Sequence, residues 1–414
     1  MNSEQKKPEL VCPAGDWPSL VTAVDSGADS VYFGIKDMNM RARAKNFDIL
    51  ELPRIMAVLH KKNKKGYLAL NVIVMNDELG KVETILRKAK DAGIDAVILW
   101  DMGILSLAEE LGLKIHLSTQ ASTANVKALS FFASRGVSRV VLARECTLEQ
   151  IKQVIAAGNE QHIPCRVEAF IHGAMCLSVS GRCFLSSYSF GESANRGECM
   201  QPCRREYYIR DTNDEADYIM GNDYLLSPKD LCTVDFIDQL IAAGIHAFKV
   251  EGRIRSVEYI KLTVSAYRQA IDAYFEGKLD ADLKKDLKER LAKVYNRGFS
   301  SGFYFGQPED WTNRGFQKSY EKVYIGEVIK FYKKINVAEI AIHTGKLKKG
   351  DRLLVTGKNT PASFCTVEEL QIEHEFITEV EKGQSVGVKL PFPVRPKDKV
   401  FLWVPAGGQT FEKV

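Results

Sequence analysis

Four cysteines crowd one short stretch of this chain, Cys176, Cys183, Cys199 and Cys203, inside EAFIHGAMCLSVSGRCFLSSYSFGESANRGECMQPC from Glu168 to Cys203. Thiolates converging on one point repel one another unless a metal takes up their charge, so loop-borne thiolates suit zinc or an iron–sulfur cluster. Gly173, Gly181, Gly191 and Gly197 punctuate the stretch and let a loop fold tightly around something small. Structural zinc commonly takes two tight Cys-x2-4-Cys hooks. Here only Cys199 and Cys203 are that close, while Cys176 and Cys183 stand seven residues apart. The wider spacing suits a cluster, whose irons spread over more volume than one ion. Zinc and a set of unrelated buried thiols are the alternatives. Cys232 competes with Cys203 for the last ligand position, and the compactness of the loop favours Cys203.

The residues around the thiols resemble a known signature. Glu168-x-Phe170-x-x-Gly173-Ala174-Met175-Cys176, followed by Gly181-x-Cys183-x-x-Ser186, is similar to that of the collagenase-like peptidase family U32. Lys249 to Arg253 resembles that family's Lys-x-Glu-Gly-Arg stretch. Members are often labelled proteases, but the better-understood branches hydroxylate tRNA wobble uridine, ribosomal RNA cytidine or a ubiquinone precursor. They work without molecular oxygen, with prephenate implicated as hydroxyl source and an iron–sulfur cluster on such cysteines. The resemblance therefore implies a 4Fe-4S cluster on Cys176, Cys183, Cys199 and Cys203, prephenate as co-substrate and tRNA as macromolecular partner. Wobble uridine is the first-choice base. The rival readings are a collagenase-like peptidase and a non-catalytic cluster-binding subunit that needs a related family chain.

A dianion such as prephenate needs cations and donors. Arg144, Arg253 and Arg182 fall at strand ends or in the Cys loop, where guanidinium can pair with carboxylate in bidentate fashion. Their bland alternative is an ion pair with Glu145, Glu251 or Glu168. Asn71 and Gln120 are weaker rim candidates. Glu168, from the signature, is expected in acid–base or orienting work, and His172 and His116 are expected to point toward the rim. A structural hydrogen bond is the commoner fate of a lone histidine. A Cys176–His172 protease pair would leave three neighbouring thiols idle. Gly298-x-Ser300-x-Gly302 fits the serine-hydrolase pattern but lacks the strand before and helix after that a nucleophile elbow needs.

The elements that must hold these residues read as alternating apolar runs and helical stretches through the first 250 residues, an α/β pattern. Strands are expected at Pro8–Cys12, Ser30–Phe33, Tyr67–Val74, Ala96–Trp100, Lys114–Leu117, Arg139–Ala143, Arg166–Ile171 and His246–Val250. Helices are expected between them, including Asp77–Ala92 and Asp230–Ala243. Eight such strands close into a (β/α)8 TIM-like barrel, with an open doubly wound sheet as the runner-up. The Cys-rich insertion leaves the C-terminal end of the seventh strand, the catalytic face of such a barrel. The predicted organisation is a barrel domain over 1–300 with a cluster-binding loop 172–232, then a linker 301–322. A small β-barrel over 323–414, similar to translation-factor second domains, completes it.

Composition narrows the class. Of 414 residues 45% are hydrophobic and 27% charged, as in ordinary globular proteins, and nine cysteines are too sparse for a disulfide scaffold. The start, MNSEQKKPEL, has no apolar run behind its lysines, and no stretch approaches eighteen apolar residues. A reduced cytoplasmic setting with no membrane contact is expected. The net charge of +4 argues against a dedicated non-specific nucleic-acid binder and leaves a local RNA-binding patch open.

Overall fold

The computed structural model describes residues 6–205, 207, 209–210, 217–218, 224–308, 312–313 and 317–406. Eight parallel strands form the barrel: β1 (Glu9–Ala14), β2 (Ser30–Phe33), β3 (Lys65–Ala69), β4 (Ala96–Leu99), β5 (Ile115–Leu117), β6 (Val137–Val141), β7 (Arg166–Gly173) and β8 (Ala247–Val250). Each pairs with the next in sequence except that β8 pairs with both β7 and β1, which closes the ring. Runs such as the AVIL of β4 are apolar throughout because both strand faces are covered.

Outside lie α1 (Trp17–Asp25), α2 (Leu52–His60), α3 (Leu79–Asp91), α4 (Met102–Glu110), α5 (Val126–Ala133), α6 (Leu148–Glu160), α7 (Ile237–Ala242) and α8 (Val257–Phe275). Side chains of Asp16, Asp101, Asn125 and Thr147 accept the first-turn N–H groups of α1, α4, α5 and α6 and start them at fixed points. The barrel interior is unusual. Beside a small apolar cluster of Val11, Tyr32, Tyr67, Ala96, Ile98 and Ala247 it carries charge, where barrels of this type are usually filled by branched aliphatic residues. Arg139 reaches Glu9 at 2.8 Å and Glu168 at 3.0 Å, and Glu168 reaches Lys249 at 2.7 Å.

Several expected elements fall differently. β3 ends at Ala69, five residues before the expected Val74, because the chain turns into the barrel mouth at Asn71. Asp230–Cys232 is not helical. It forms a short strand antiparallel to the end of β7, and α7 begins only at Ile237. The buried Asp230 carboxylate, held by Arg255 and Arg297, fixes this segment against the sheet.

The C-terminal part is an eight-stranded antiparallel sheet around the long strand Tyr320–Tyr332. The expected small barrel does not close: the edge strands Ser363–Thr366 and Glu375–Ile377 do not pair among the described residues. A separate ladder, Lys346–Lys348 against Glu379–Glu381, buries Leu347 and Val380 in the core of this half-barrel. Gly326 lets two strands cross closely, since a Cβ there would sit 1.8 Å from the Ala341 carbonyl oxygen. The sheet docks on the barrel through Trp403, which joins the barrel core. The Ala362 N–H donates to Thr22 Oγ1 at 2.9 Å, and Lys322 pairs with Glu258 at 2.7 Å.

Candidate active site

At the end of β7 the backbone of Gly173 takes φ +113°, and a Cβ there would lie 2.5 Å from the Glu251 carbonyl oxygen. Only glycine allows this crossing. It sends the chain out across the barrel mouth as a loop with one short helix, Leu185–Phe190, before the segment that contains Cys203. Arg196 anchors the loop to the barrel, donating to the Ile73 carbonyl at 2.9 Å and to Glu78 at 2.8 Å. Gly197, also at positive φ, lies so near the Asn39 carbonyl that a Cβ would be 2.3 Å away.

The loop brings Cys176, Cys183, Cys199 and Cys203, all half-buried, to the wall of one cavity of about 150 Å³ at the barrel mouth. Cys176 Sγ lies 3.0 Å from Ser178 Oγ, and the Leu185 N–H donates to Cys183 Sγ at 3.3 Å. The Asn195 side chain accepts from the Cys183 N–H at 3.0 Å. Among the described residues no three His, Cys, Asp or Glu side chains stand close enough to hold a single metal ion. All four thiols line this one cavity, a donor set of the chemical kind that holds an iron–sulfur cluster. Burial raises the Cys203 thiol, the Arg204 guanidinium beside it opposes this, and the other three thiols reinforce it.

Arg144, Arg253, Asn71 and Gln120 line the same cavity. Arg144 donates to the Ala174 carbonyl at 2.9 Å and lies 4.1 Å over the Phe170 ring. Arg253 is buried and donates to Asn39 Oδ1 at 2.9 Å, and burial lowers its pKa to about 10. Asn71 and Gln120 hold each other, Nδ2 to Oε1 at 3.0 Å and Nε2 to the Asn71 carbonyl at 2.8 Å. Three further residues of the cavity were not assigned a role from sequence: Arg41, Lys249 and Glu251. Arg41 Nη2 meets Glu251 Oε1 at 3.0 Å. Burial pushes the Glu251 carboxyl up, but Arg41, Arg144 and Arg253 outweigh it and hold its pKa at about 2. The signal for two of the three was the period-two spacing Lys249, Glu251, Arg253, which begins on β8 and continues past its end to the mouth.

A family model described as peptidase family U32 matches residues 15–314. The chain belongs to the U32 family. An uncharacterized protease of Methanocaldococcus jannaschii is 43% identical over 401 residues, covering 95% of this chain and 98% of its own. A collagenase of Porphyromonas gingivalis is 39% identical over 95% of this chain and 97% of its own length. The tRNA hydroxylation protein P1 of Bacillus subtilis is 32% identical over 88% and 87%. A solved U32 peptidase structure overlaps 42% of this chain and 73% of its own at 12% identity, with a TM-score of 0.35.

Within this U32 fold the two residues expected to do acid–base chemistry lie off the cavity. Glu168 faces the barrel interior, 1% exposed, between Arg139 and Lys249, and reaches the cavity only through Lys249. His172 points the other way, into the layer between barrel and α8. There Nδ1 lies 3.2 Å from the Tyr267 hydroxyl, and the ring packs among Tyr259, Tyr267 and Phe299. Burial drops its pKa to about 3, with Arg255 adding to the effect. Four residues apart, the two would share a face of a regular strand, but the register against β8 shifts between the pairs Phe170–Lys249 and His172–Val250, and this irregularity in β7 turns His172 outward. His116 also misses the rim, sitting inside the barrel against Tyr67. Arg182 donates to Ser122 Oγ at 3.2 Å and does not line the cavity. Cys232 is buried against Tyr267, its Sγ 3.8 Å from that hydroxyl.

A second, wider cavity of about 570 Å³ lies between barrel and C-terminal sheet. It shares Arg41, Cys176, Cys199, Cys203 and Glu251 with the first, so three of the four thiols form a wall common to both.

Proposed function

We propose that this protein hydroxylates an RNA base without molecular oxygen, most directly C5 of a tRNA wobble uridine, using prephenate as the hydroxyl source and a 4Fe-4S cluster on Cys176, Cys183, Cys199 and Cys203. The carrying observation is that four thiols wall one small cavity that also holds Arg41, Arg144, Lys249 and Arg253 against the single carboxylate of Glu251. Such a cavity attracts a compact dianion. Names of relatives agree: tRNA hydroxylation proteins of Bacillus subtilis and Escherichia coli and a ribosomal RNA 5-hydroxycytidine synthase of Escherichia coli.

In this reading Arg144 and Arg253 bind the carboxylates of the donor, and the Asn71–Gln120 pair orients its hydroxyl. Glu168 holds Lys249 in place from below. Overall, one C–H of the base becomes C–OH while one C–OH of the donor becomes C–H, so the two electrons lost by the base are gained by the donor. A bound cluster would supply one-electron transfer at the shared wall.

The collagenase name of other relatives suggests a peptidase, yet the described residues do not supply its parts. Cys176 has Ser178 as neighbour while His172 faces Tyr267, so no thiol–imidazole pair forms between them. Ser300 is the second residue of a two-residue strand, and its Oγ accepts from the Gly302 N–H at 3.3 Å in the turn that follows, so no helix follows to make a strand–helix elbow. The test is anaerobic purification with iron and sulfide analysis, then incubation with tRNA and prephenate and mass analysis of the nucleosides. About four irons per chain and prephenate-dependent 5-hydroxyuridine are expected. Gelatin cleavage by metal-free protein, with no change in any nucleoside, would overturn the reading.

A further inference from the structure

The wider cavity between the barrel and the C-terminal sheet contains a built anion site that the reaction chemistry above does not use. Arg255 and Arg297 share one carboxylate, Asp230, at 2.6 and 3.2 Å. Their side chains are only 11% and 12% exposed and that of Asp230 is 1%. Two guanidiniums over one carboxylate leave a surplus positive charge. Both guanidiniums also pack on one ring, Tyr295, at 4.7 and 5.1 Å, which locks their planes before any ligand arrives. Arg204 adds a third, spending its donors on Ser227 Oγ and the Pro228 carbonyl at 2.7 and 2.9 Å. Rim pairs Lys322–Glu258 and Lys318–Glu321 are neutral by themselves, so the surplus belongs to the arginines.

Aromatic surface faces the same space from the other domain. Tyr320 and Trp403, both on the C-terminal sheet, stack with ring centroids 5.7 Å apart and planes 13° from parallel. Fixed guanidiniums beside aromatic faces are the combination that holds single-stranded nucleic acid, phosphates on the cations and bases on the rings. At about 570 Å³ the cavity lies within the size range of organic-ligand pockets.

We propose that this inter-domain cleft receives the nucleotide to be modified, with its phosphate on Arg255 and Arg297 and its base between the Tyr320 side and the thiol wall. The proposal rests on the RNA reading above and adds a place for the RNA. The C-terminal sheet is thereby part of the site. An organic phosphate alone would satisfy the arginines but not the aromatic wall, and would not reach the thiols shared with the inner cavity.

The experiment uses anaerobically prepared, cluster-loaded full chain and a labelled anticodon stem-loop RNA with an unpaired uridine. Affinity is measured by fluorescence anisotropy across a salt series. Arg297→Gln is expected to weaken binding about ten-fold and to lower the slope of log K against log salt by about one, with iron and sulfide per chain unchanged. Tyr320→Leu, which leaves every ion pair intact, is expected to weaken binding by a similar factor without changing the salt slope. It decides the matter should Arg297→Gln misfold. Lys62→Gln, at the exposed end of α2, is the control and should bind as wild type does. Wild-type binding in both cleft variants would overturn the cleft while leaving the RNA reading standing. Loss of iron in Arg297→Gln together with normal binding by Tyr320→Leu would reassign the arginines to balancing the cluster's charge. A wild-type chain that binds no RNA at low salt would instead remove the RNA reading itself.

Discussion

Glu168 is the residue on which the sequence signature and the structure part company, and Glu168→Gln separates the two accounts. Its carboxylate is buried and shared, Oε1 with Lys249 at 2.7 Å and Oε2 with Arg139 at 3.0 Å. Removing one partner from a buried ion pair costs about 3–5 kcal/mol, because a charge is left uncompensated. Arg139 keeps Glu9 at 2.8 Å, so the ammonium of Lys249 bears most of the loss. Lys249 borders the cavity and can take up water there, which puts the expected cost at the low end, about 3 kcal/mol. Lys249→Met should cost less, since Glu168 retains Arg139. The double variant should return to within about 1 kcal/mol of wild type, because no lone charge remains. Urea unfolding of cluster-loaded protein, followed by fluorescence, measures all three; a loss of 3 kcal/mol moves the midpoint by roughly 1 M at the usual slope. An unchanged midpoint in Glu168→Gln combined with abolished hydroxylation would refute this reasoning and return Glu168 to the chemistry. So would a double variant as unstable as the sum of the singles.

Three further outcomes follow from the same geometry. Cys203→Ser should lose iron and sulfide, while Cys232→Ser, whose thiol is buried against Tyr267 with its pKa pushed up by burial to about 11, should keep both. His172 is neutral in the fold, with a pKa of about 3 against about 6.5 when unfolded, so its contribution is complete above pH 6.5 and is lost as pH falls toward 3. Wild type should therefore lose about 2 kcal/mol between pH 6.5 and 5 that His172→Phe does not lose, read from urea midpoints at the two pH values. Gly15→Ala should weaken donor binding and lower stability by about 1–3 kcal/mol, since the new Cβ would lie 2.0 Å from the Arg253 carbonyl oxygen and displace that residue; isothermal titration with prephenate and thermal unfolding check both.

Much of the barrel was legible because parallel strands buried on both faces announce themselves as short apolar runs. The expected starts at Ser30, Ala96 and Arg166 coincide with those of β2, β4 and β7. Asp230–Cys232 misled because Asp and Leu suit a helix start as well as a strand. What decides it is Asp230 bonding to arginines 25 and 67 residues further on, which no local pattern records. The half-barrel misled for a related reason. The alternating residues of Val337–Ile342 and Arg352–Thr356 suit the strands found there, yet closure depends on whether the edge strands meet, and that is a property of the whole sheet.

The candidate site divides along the same line. Residues on the loop and on the strand ends, from Cys176 to Arg253, reach the cavity wall because their position along the chain already places them at the barrel mouth. Glu168 and His172 sit on β7 itself, where function depends on register, and a signature match carries no register. Lys249, Glu251 and Arg253 show the converse. Lys249 faces the interior from β8, and Glu251 and Arg253 follow at the same spacing in the segment just past the strand, at the mouth. Lys249 meets Glu168, Glu251 meets Arg41 and Arg253 meets Asn39. β7 thus holds Lys249, while the loop after β2 holds both Glu251 and Arg253, through Arg41 and Asn39. Arg41 alone had no sequence signal: it enters from the loop after β2, 210 residues from its partner Glu251, and only the closed ring brings the two together.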